Sequence, residues 1–216
     1  FFGQIMGGPL TKWQEDGLFY VVWPAFTYWT QTGDKSLCQG KYLESMEKAM
    51  NWLENRCYDP KQGLFGRYFA CETPLTNSRD SGWDNVTGAP TYKWDTEYEG
   101  KPIVRSYDNY VNLLHYSTYL MLSALQEDET KADLYYNKAV KLEKNIKSFF
   151  DYENTLPSYG KLLTDMGDLI TAEPYGMDIW DYVWGLSLPP FEPTWPEKYK
   201  QLREKLRQDM TKTESG

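Results

Sequence analysis

The stretch YDNYVNLLHYSTYLMLSALQ, residues 107–126, decides the fold together with the one that follows it, ETKADLYYNKAVKLEKNIKSFF, residues 129–150. The first is apolar nearly all round. The second carries Ala132, Tyr135, Ala139, Leu142, Ile146 and Phe149 on one stripe, with its lysines largely off it. A helix that is apolar on every side must be buried on every side, whereas an amphipathic one lies at the surface. The pair therefore reads as an inner helix backed by an outer one.

The same alternation extends in both directions. Residues 16–30, DGLFYVVWPAFTYWT, are again apolar almost throughout, with Pro24 marking a kink or restart. Residues 41–56, KYLESMEKAMNWLENR, place Tyr42, Met46, Ala49, Met50 and Leu53 at helical spacing and charges opposite. A third pair follows, MDIWDYVWGLSL at 177–188 and then 197–210 with Tyr199, Leu202 and Leu206 inward. Strict alternation predicts an all-α fold, an α/α toroid of helical hairpins at about 16–56, 107–150 and 177–210. An ordinary helical bundle or solenoid is the alternative, although no short repeat period recurs. Links within hairpins are short, while those between them, 57–106 and 151–176, are long. Long loops in a compact domain are commonly functional, and both are expected on the face where the inner helices start. Residues 59–70, DPKQGLFGRYFA, read as a turn and a short extended piece, a small hairpin decorating the rim.

Composition narrows the function classes. The 216 residues are 41% hydrophobic and 25% charged, enough apolar content to bury a core. A net charge of −8 argues against nucleic-acid or anionic-membrane partners, which need a Lys/Arg excess, and suits a neutral substrate. No run approaches the apolar length of a membrane span. The start at Phe1 has neither an initiating Met nor the features of a signal peptide, so a fragment, a processed chain or an excised domain is expected. Cys38, Cys57 and Cys71 form no CxxC, and their odd count leaves at least one thiol outside any intrachain disulfide. The single histidine, His115, rules out a multi-histidine metal site and sits in an apolar helical run, which favours a core role over a catalytic base. No metal or cofactor is expected.

The first long link contains RDSGWDN, residues 79–85. Carboxylates paired across a sugar are the working parts of most glycoside hydrolases. Trp offers a flat apolar face to a sugar ring, while amides and Arg bond its hydroxyls. Arg79, Asp80, Trp83, Asp84 and Asn85 supply that set, and Gly82 lets the backbone turn between the acids. Asp-Ser-Gly is equally ordinary turn composition, so the chemistry alone leaves both readings open. Further candidates for sugar contacts are Trp13, Gln14, Glu15 and Asp16 in TKWQED, and Trp94, Asp95 and Arg105 later in the link. Asp16, Asp108 and Asp178 stand near the starts of inner helices, where capping is the better reading of each. Asp181 with Trp180 and Trp184 sits at core-like helical spacing.

SGWDN closely resembles the motif that carries the general acid in trehalases and in the processing α-glucosidase and mannosylglycerate hydrolase group. Its surroundings are similar in order: DGLFYVVWPAFTYWTQTGD, then AMNWLENRCYDPKQGLF, then SYDNYVNLLHYSTYLMLSAL. The likeness spans roughly residues 13–150. It implies an inverting glycosidase on a six-hairpin (α/α)6 toroid, with Asp84 as the general acid that protonates the glycosidic oxygen. Trp83 and Asn85 would shape the leaving-group side. The chain departs from trehalase at Asp80, where that enzyme has glutamate, and at Val86-Thr87, which leaves the sugar open. Asp84 must stay protonated near neutral pH; an apolar neighbour such as Trp83 and a like charge such as Asp80 both favour that. The general base of the resembling enzymes lies towards the C-terminus and has no matching motif here, with Glu15, Asp108 and Asp178 as fallbacks. A full ring of twelve helices needs on the order of 300 residues, so only about half of one is expected in this chain, with the remaining hairpins on another chain or segment. The implied partner is a carbohydrate, an α-linked glucoside or related glycan. The alternative is a non-catalytic carbohydrate-binding or assembly domain. Sugar degradation slightly favours a periplasmic or secreted location, and nothing in the residues fixes it.

Overall fold

The computed structural model describes residues 17–66, 97–98, 101–153, 157–158 and 160–172. Helix α1 is Phe19–Thr32 and α2 is Gly40–Cys57. A hairpin follows, β1 (Tyr58–Asp59) and β2 (Leu64–Phe65), and then β3 (Glu97–Tyr98) and β4 (Lys101–Asp108). Helices α3 (Asn109–Leu125) and α4 (Glu129–Phe149) come next, and β5 (Gly160–Thr164) and β6 (Leu169–Ala172) complete the described chain. The predicted third hairpin, 177–210, lies outside the described residues.

The expectation of an all-α toroid is overturned. Among the described residues, four helices are accompanied by two small antiparallel sheets, so the fold is mixed α/β. One sheet is the β1–β2 pair, and the other has the order β3-β4-β5-β6. The two long links, read as loops, pair with each other: Ile103 faces Thr164, Arg105 faces Leu163 and Ser106 faces Leu162, and the strand runs on through Tyr107 and Asp108, which were read as the start of a helix. Their sequences hid this. KPIVRSYD begins with a lysine and a proline, ends in an acid, and has a bulge between Ile103 and Arg105 that breaks the simple alternation. GKLLT contains no β-branched residue until its last position, so its strand state comes from its neighbours rather than from propensity.

The helices themselves follow the apolar periodicity, with one difference. Helix α3 is buried along nearly its whole length, from Asn109 to Leu125. Helices α2 and α4 bury single stripes, Met46–Met50–Leu53–Cys57 and Tyr135–Ala139–Leu142–Ile146, whose spacing of three and four residues keeps them on one face. Helix α1 does not behave as an inner helix. It buries Phe19, Val22 and Ala25, while Tyr20, Trp23 and Tyr28 are each about two-fifths exposed. These rings count as apolar in a sequence pattern, yet each carries a polar group and can rest partly exposed.

Two ion pairs tie α2 to α4. Glu47 and Glu54 are seven residues apart, as are their partners Lys131 and Lys138, so both pairs form on facing sides. Tyr119 of α3 also donates to Glu54, at 2.7 Å. Burial, followed by the charge of Glu54, pushes the Tyr119 phenol well above its ordinary value, so it stays a donor.

The helix ends use local chemistry. Helix α1 stops at Gly33, whose positive φ of 76° lets its N–H reach the Trp29 carbonyl at 2.7 Å. Helix α4 starts at Asp128, whose carboxylate accepts from the Thr130 and Lys131 N–H groups. Replacing that cap, Asp128→Ala, is expected to lower stability by about 1 kcal/mol, read as an earlier urea midpoint at unchanged slope. A midpoint at the wild-type value would mean that water satisfies the freed N–H groups as well.

The β1–β2 hairpin is core, not rim. Leu64 and Phe65 are fully buried, and Phe65 packs at 4.1 Å between ring centroids against His115, itself wholly enclosed. The histidine thus has the core setting that its apolar helix suggested. Cys38 and Cys57 are both buried, and Cys71 lies outside the described residues.

Candidate functional site

The topology sorts the connections by end. The phenols of Tyr20 and Tyr110 meet at 2.8 Å, so α1 and α3 begin side by side. The hairpin that follows α2 and the strand β5 that follows α4 lie at that same end, both against β4. The short links, residues 33–39 and 126–128, meet at the other end around a cavity of about 250 Å³ lined by Cys38, Leu43, Leu125 and Gln126 among others.

At the first end β4 is the spine. Side chains two apart on a strand share a face, and Arg105 and Tyr107 use this to reach one carboxylate, that of Asp59 on β1. Tyr107 donates to Asp59 Oδ2 at 2.5 Å and Arg105 Nη1 approaches the same oxygen at 3.0 Å. Asp59 Oδ1 accepts from the Lys61 N–H at 2.9 Å, a turn bond within its own hairpin. Burial of Asp59 opposes its ionisation, but the bonds from Tyr107 and Lys61 and the charge of Arg105 outweigh it and hold the carboxyl below its usual range. Burial and the same bond raise the Tyr107 phenol far above its ordinary value.

Asn112 of α3 fastens the hairpin from its other edge. Its Oδ1 accepts from the Phe65 N–H at 2.8 Å, and its Nδ2 donates to the Phe65 carbonyl at 2.9 Å and to the Asp108 carbonyl at 2.8 Å. The side-chain amide acts as the next strand would. Asn109 does related work one turn earlier, donating to the Ser158 carbonyl and accepting from the Tyr152 phenol, which joins α3 to the second link.

Of the residues singled out in the sequence, Arg105 and Asp108 are described. Arg105 is paired with Asp59 and is mostly buried. Asp108 caps α3, accepting from the Val111 N–H at 3.3 Å, in line with the capping reading. Trp13, Gln14, Glu15, Asp16, Arg79, Asp80, Trp83, Asp84, Asn85, Trp94, Asp178, Asp181 and their neighbours lie outside the described residues. Asp59 and Tyr107 were not singled out in the sequence. Asp59 read as an ordinary turn acid, and only the Arg-x-Tyr spacing of β4 hinted that two polar side chains point the same way.

Among the described residues, no three His, Cys, Asp or Glu side chains are grouped to hold a metal ion, and no helix is long and apolar enough to cross a membrane. No protein-family model, curated protein or solved structure matches the chain.

Proposed function

We propose that the chain is a glycoside hydrolase acting on an α-linked glucoside or related glycan with inversion, and that Asp84 is its general acid. The motif SGWDN carries the chemical part of this reading. The supporting structural observation is where the chain enters and leaves the segment that contains the motif. Gly66, the last described residue before it, lies against Arg105 and Tyr107, and Glu97, the first after it, pairs with Pro102. Both ends of the acid-bearing segment are therefore held on β4. The TKWQED stretch runs into α1 at that same end of the helices.

In this mechanism Asp84 donates its proton to the glycosidic oxygen as the bond to the anomeric carbon breaks. A water on the opposite face, deprotonated by a second carboxylate about 6.5–9.5 Å from the first, attacks that carbon. Glu15 and Asp178 are the stronger candidates for this base, because Asp108 already spends its carboxylate on the α3 cap.

The test is to incubate the intact chain with a panel of α-glucosides and α-mannosides and follow the first product by NMR. The β-anomer should appear first, followed by mutarotation. First release of the α-anomer would refute inversion. A sugar-binding module without catalysis is the competing reading, favoured by the structural employment of both described candidates, Arg105 and Asp108. It predicts saturable glycan binding by calorimetry and no product from any substrate.

A further inference from the structure

We propose that copies of this chain associate head to tail, the outer flank of α4 on one copy packing against the outer flank of α2 on the next. The proposal does not depend on the glycosidase reading above.

Two surfaces on the described helices carry it. Inside one chain, Glu47 and Glu54 reach from α2 to Lys131 and Lys138 of α4. Both steps are seven residues, so the two helices run in the same direction with a fixed stagger. On the side of α2 turned away from α4 stand Ser45, Ala49, Trp52 and Arg56, spaced four, three and four apart, with Lys41 and Lys48 beside them. On the side of α4 turned away from α2 stand Glu129, Asp133, Tyr136 and Val140, with the same spacing. Trp52 is 42% exposed, Tyr136 53% and Val140 45%. Helix α2 thus engages Glu47 and Glu54 inside the chain and carries Lys41 and Lys48 outside. The first half of α4 engages Lys131 and Lys138 inside and carries Glu129 and Asp133 outside.

A second copy packed with the stagger that already relates α2 to α4 brings the two patterns into register. Glu129 then lies opposite Ser45, Asp133 opposite Ala49, Tyr136 opposite Trp52 and Val140 opposite Arg56. The small residues Ser45 and Ala49 let the helices approach, and the Ser45 hydroxyl is already satisfied by the Lys41 carbonyl at 2.7 Å. Lys41 and Lys48 fall within about one turn of the two acids. Among the described residues, none of these four charges has an ion-pair partner in its own chain. Trp52 and Tyr136 supply the aromatic anchors that dominate the energetics of small interfaces. Arg56 lies over the Trp52 ring at 5.3 Å, which leaves its methylenes to cover Val140. Lys144 and Lys147 of α4 fall beyond the last turn of α2 in this stagger, away from Lys41 and Lys48. The two flanks belong to different helices, so the contact is heterologous. A pair of copies keeps one open flank at each end and grows on into rings or chains.

The experiment is sedimentation velocity on the full chain, loaded up to about 200 µM, a concentration at which a small interface associates. The wild-type weight-average mass should climb with concentration past that of two chains, and fall back in high salt as the ion pairs are screened. Trp52→Glu blocks the α2 flank and Tyr136→Glu blocks the α4 flank, so each variant alone should raise the dissociation constant roughly thirtyfold. Mixed one to one, they should pair at wild-type affinity and stop at two chains, since each supplies the flank that the other lacks. Recovery on mixing cannot come from a misfolded variant. Lys48→Glu should weaken assembly roughly tenfold, and adding Asp133→Lys in the same chain should restore it to within about threefold of wild type. A wild-type mass of one chain at the highest concentration would overturn the proposal, as would a discrete dimer that stops growing. Either blocked variant assembling like wild type would also overturn it, and so would a one-to-one mixture that stays monomeric.

Discussion

Asp84→Asn is expected to lower turnover of an unactivated α-glycoside by about 10²–10⁴-fold, the usual contribution of a positioned general acid. Asparagine is nearly isosteric and can still hydrogen-bond, but it has no proton to give to the departing oxygen. The loss should depend on the leaving group. A nitrophenolate or fluoride departs with little help, so the same variant should lose far less on such substrates. Binding should be nearly unchanged, because proton transfer is made only in the transition state. The basic limb of the wild-type pH–rate profile, which reports the acid, should flatten in the variant. These measurements need kcat and KM on one activated and one unactivated substrate across pH. Full turnover of the unactivated substrate by the variant would remove Asp84 from the mechanism.

Asn112→Ala should be the most damaging single change to the described fold, at about 3 kcal/mol. The substitution strands the N–H and C=O of Phe65, where that residue is 1% exposed, and each orphaned buried group costs roughly 1–3 kcal/mol. A small cavity beside the hairpin adds to this. Urea unfolding followed by far-UV circular dichroism should show a markedly lower midpoint at similar slope. Asn112→Asp should be worse still. It keeps the acceptor for the Phe65 N–H but turns a carboxylate oxygen towards the Phe65 and Asp108 carbonyls, which now receive no donor. A loss below about 1 kcal/mol in the alanine variant would mean that water enters and replaces the amide.

The Asp59 carboxylate, held by Tyr107 and Arg105, also has a pH signature. Its folded-state carboxyl lies below the ordinary value, so it adds stability at neutral pH that disappears as pH falls below about 4 and the group protonates in the folded state.

Reading the residues in order recovered the helices to within a few positions, because helical hydrogen bonds are local and their apolar spacing is written within one turn or two. The stripe from Tyr135 to Ile146 needs no partner to be recognised. The turn at Asp59 and Gly63 was equally legible: a proline, an acid that bonds its own backbone and a glycine at positive φ are local devices. Helix α1 was misjudged for a different reason. Counting Tyr20, Trp23 and Tyr28 as apolar ignores their polar tips, and only the surroundings decide whether such a ring is covered.

The site was legible as chemistry and not as geometry. SGWDN names an acid, an aromatic face and an amide, but no local rule says what they face. Arg105 drew notice as a sugar-binding cation and is held by a carboxylate that precedes it by more than forty residues. Asn112, a lone polar residue in an apolar helix, gave no sign that it completes a strand 47 positions earlier.

From the sequence alone came the four described helices, the buried stripes of α2 and α4, the Asp108 cap of α3 and the tight turn, all set by bonds between residues close along the chain. Tertiary structure alone decided that β4 pairs with β5, that Asp59 meets Arg105 and Tyr107, and that the class is mixed α/β. A short strand has no internal hydrogen bonds, so its existence and register depend on a distant partner that no local pattern specifies.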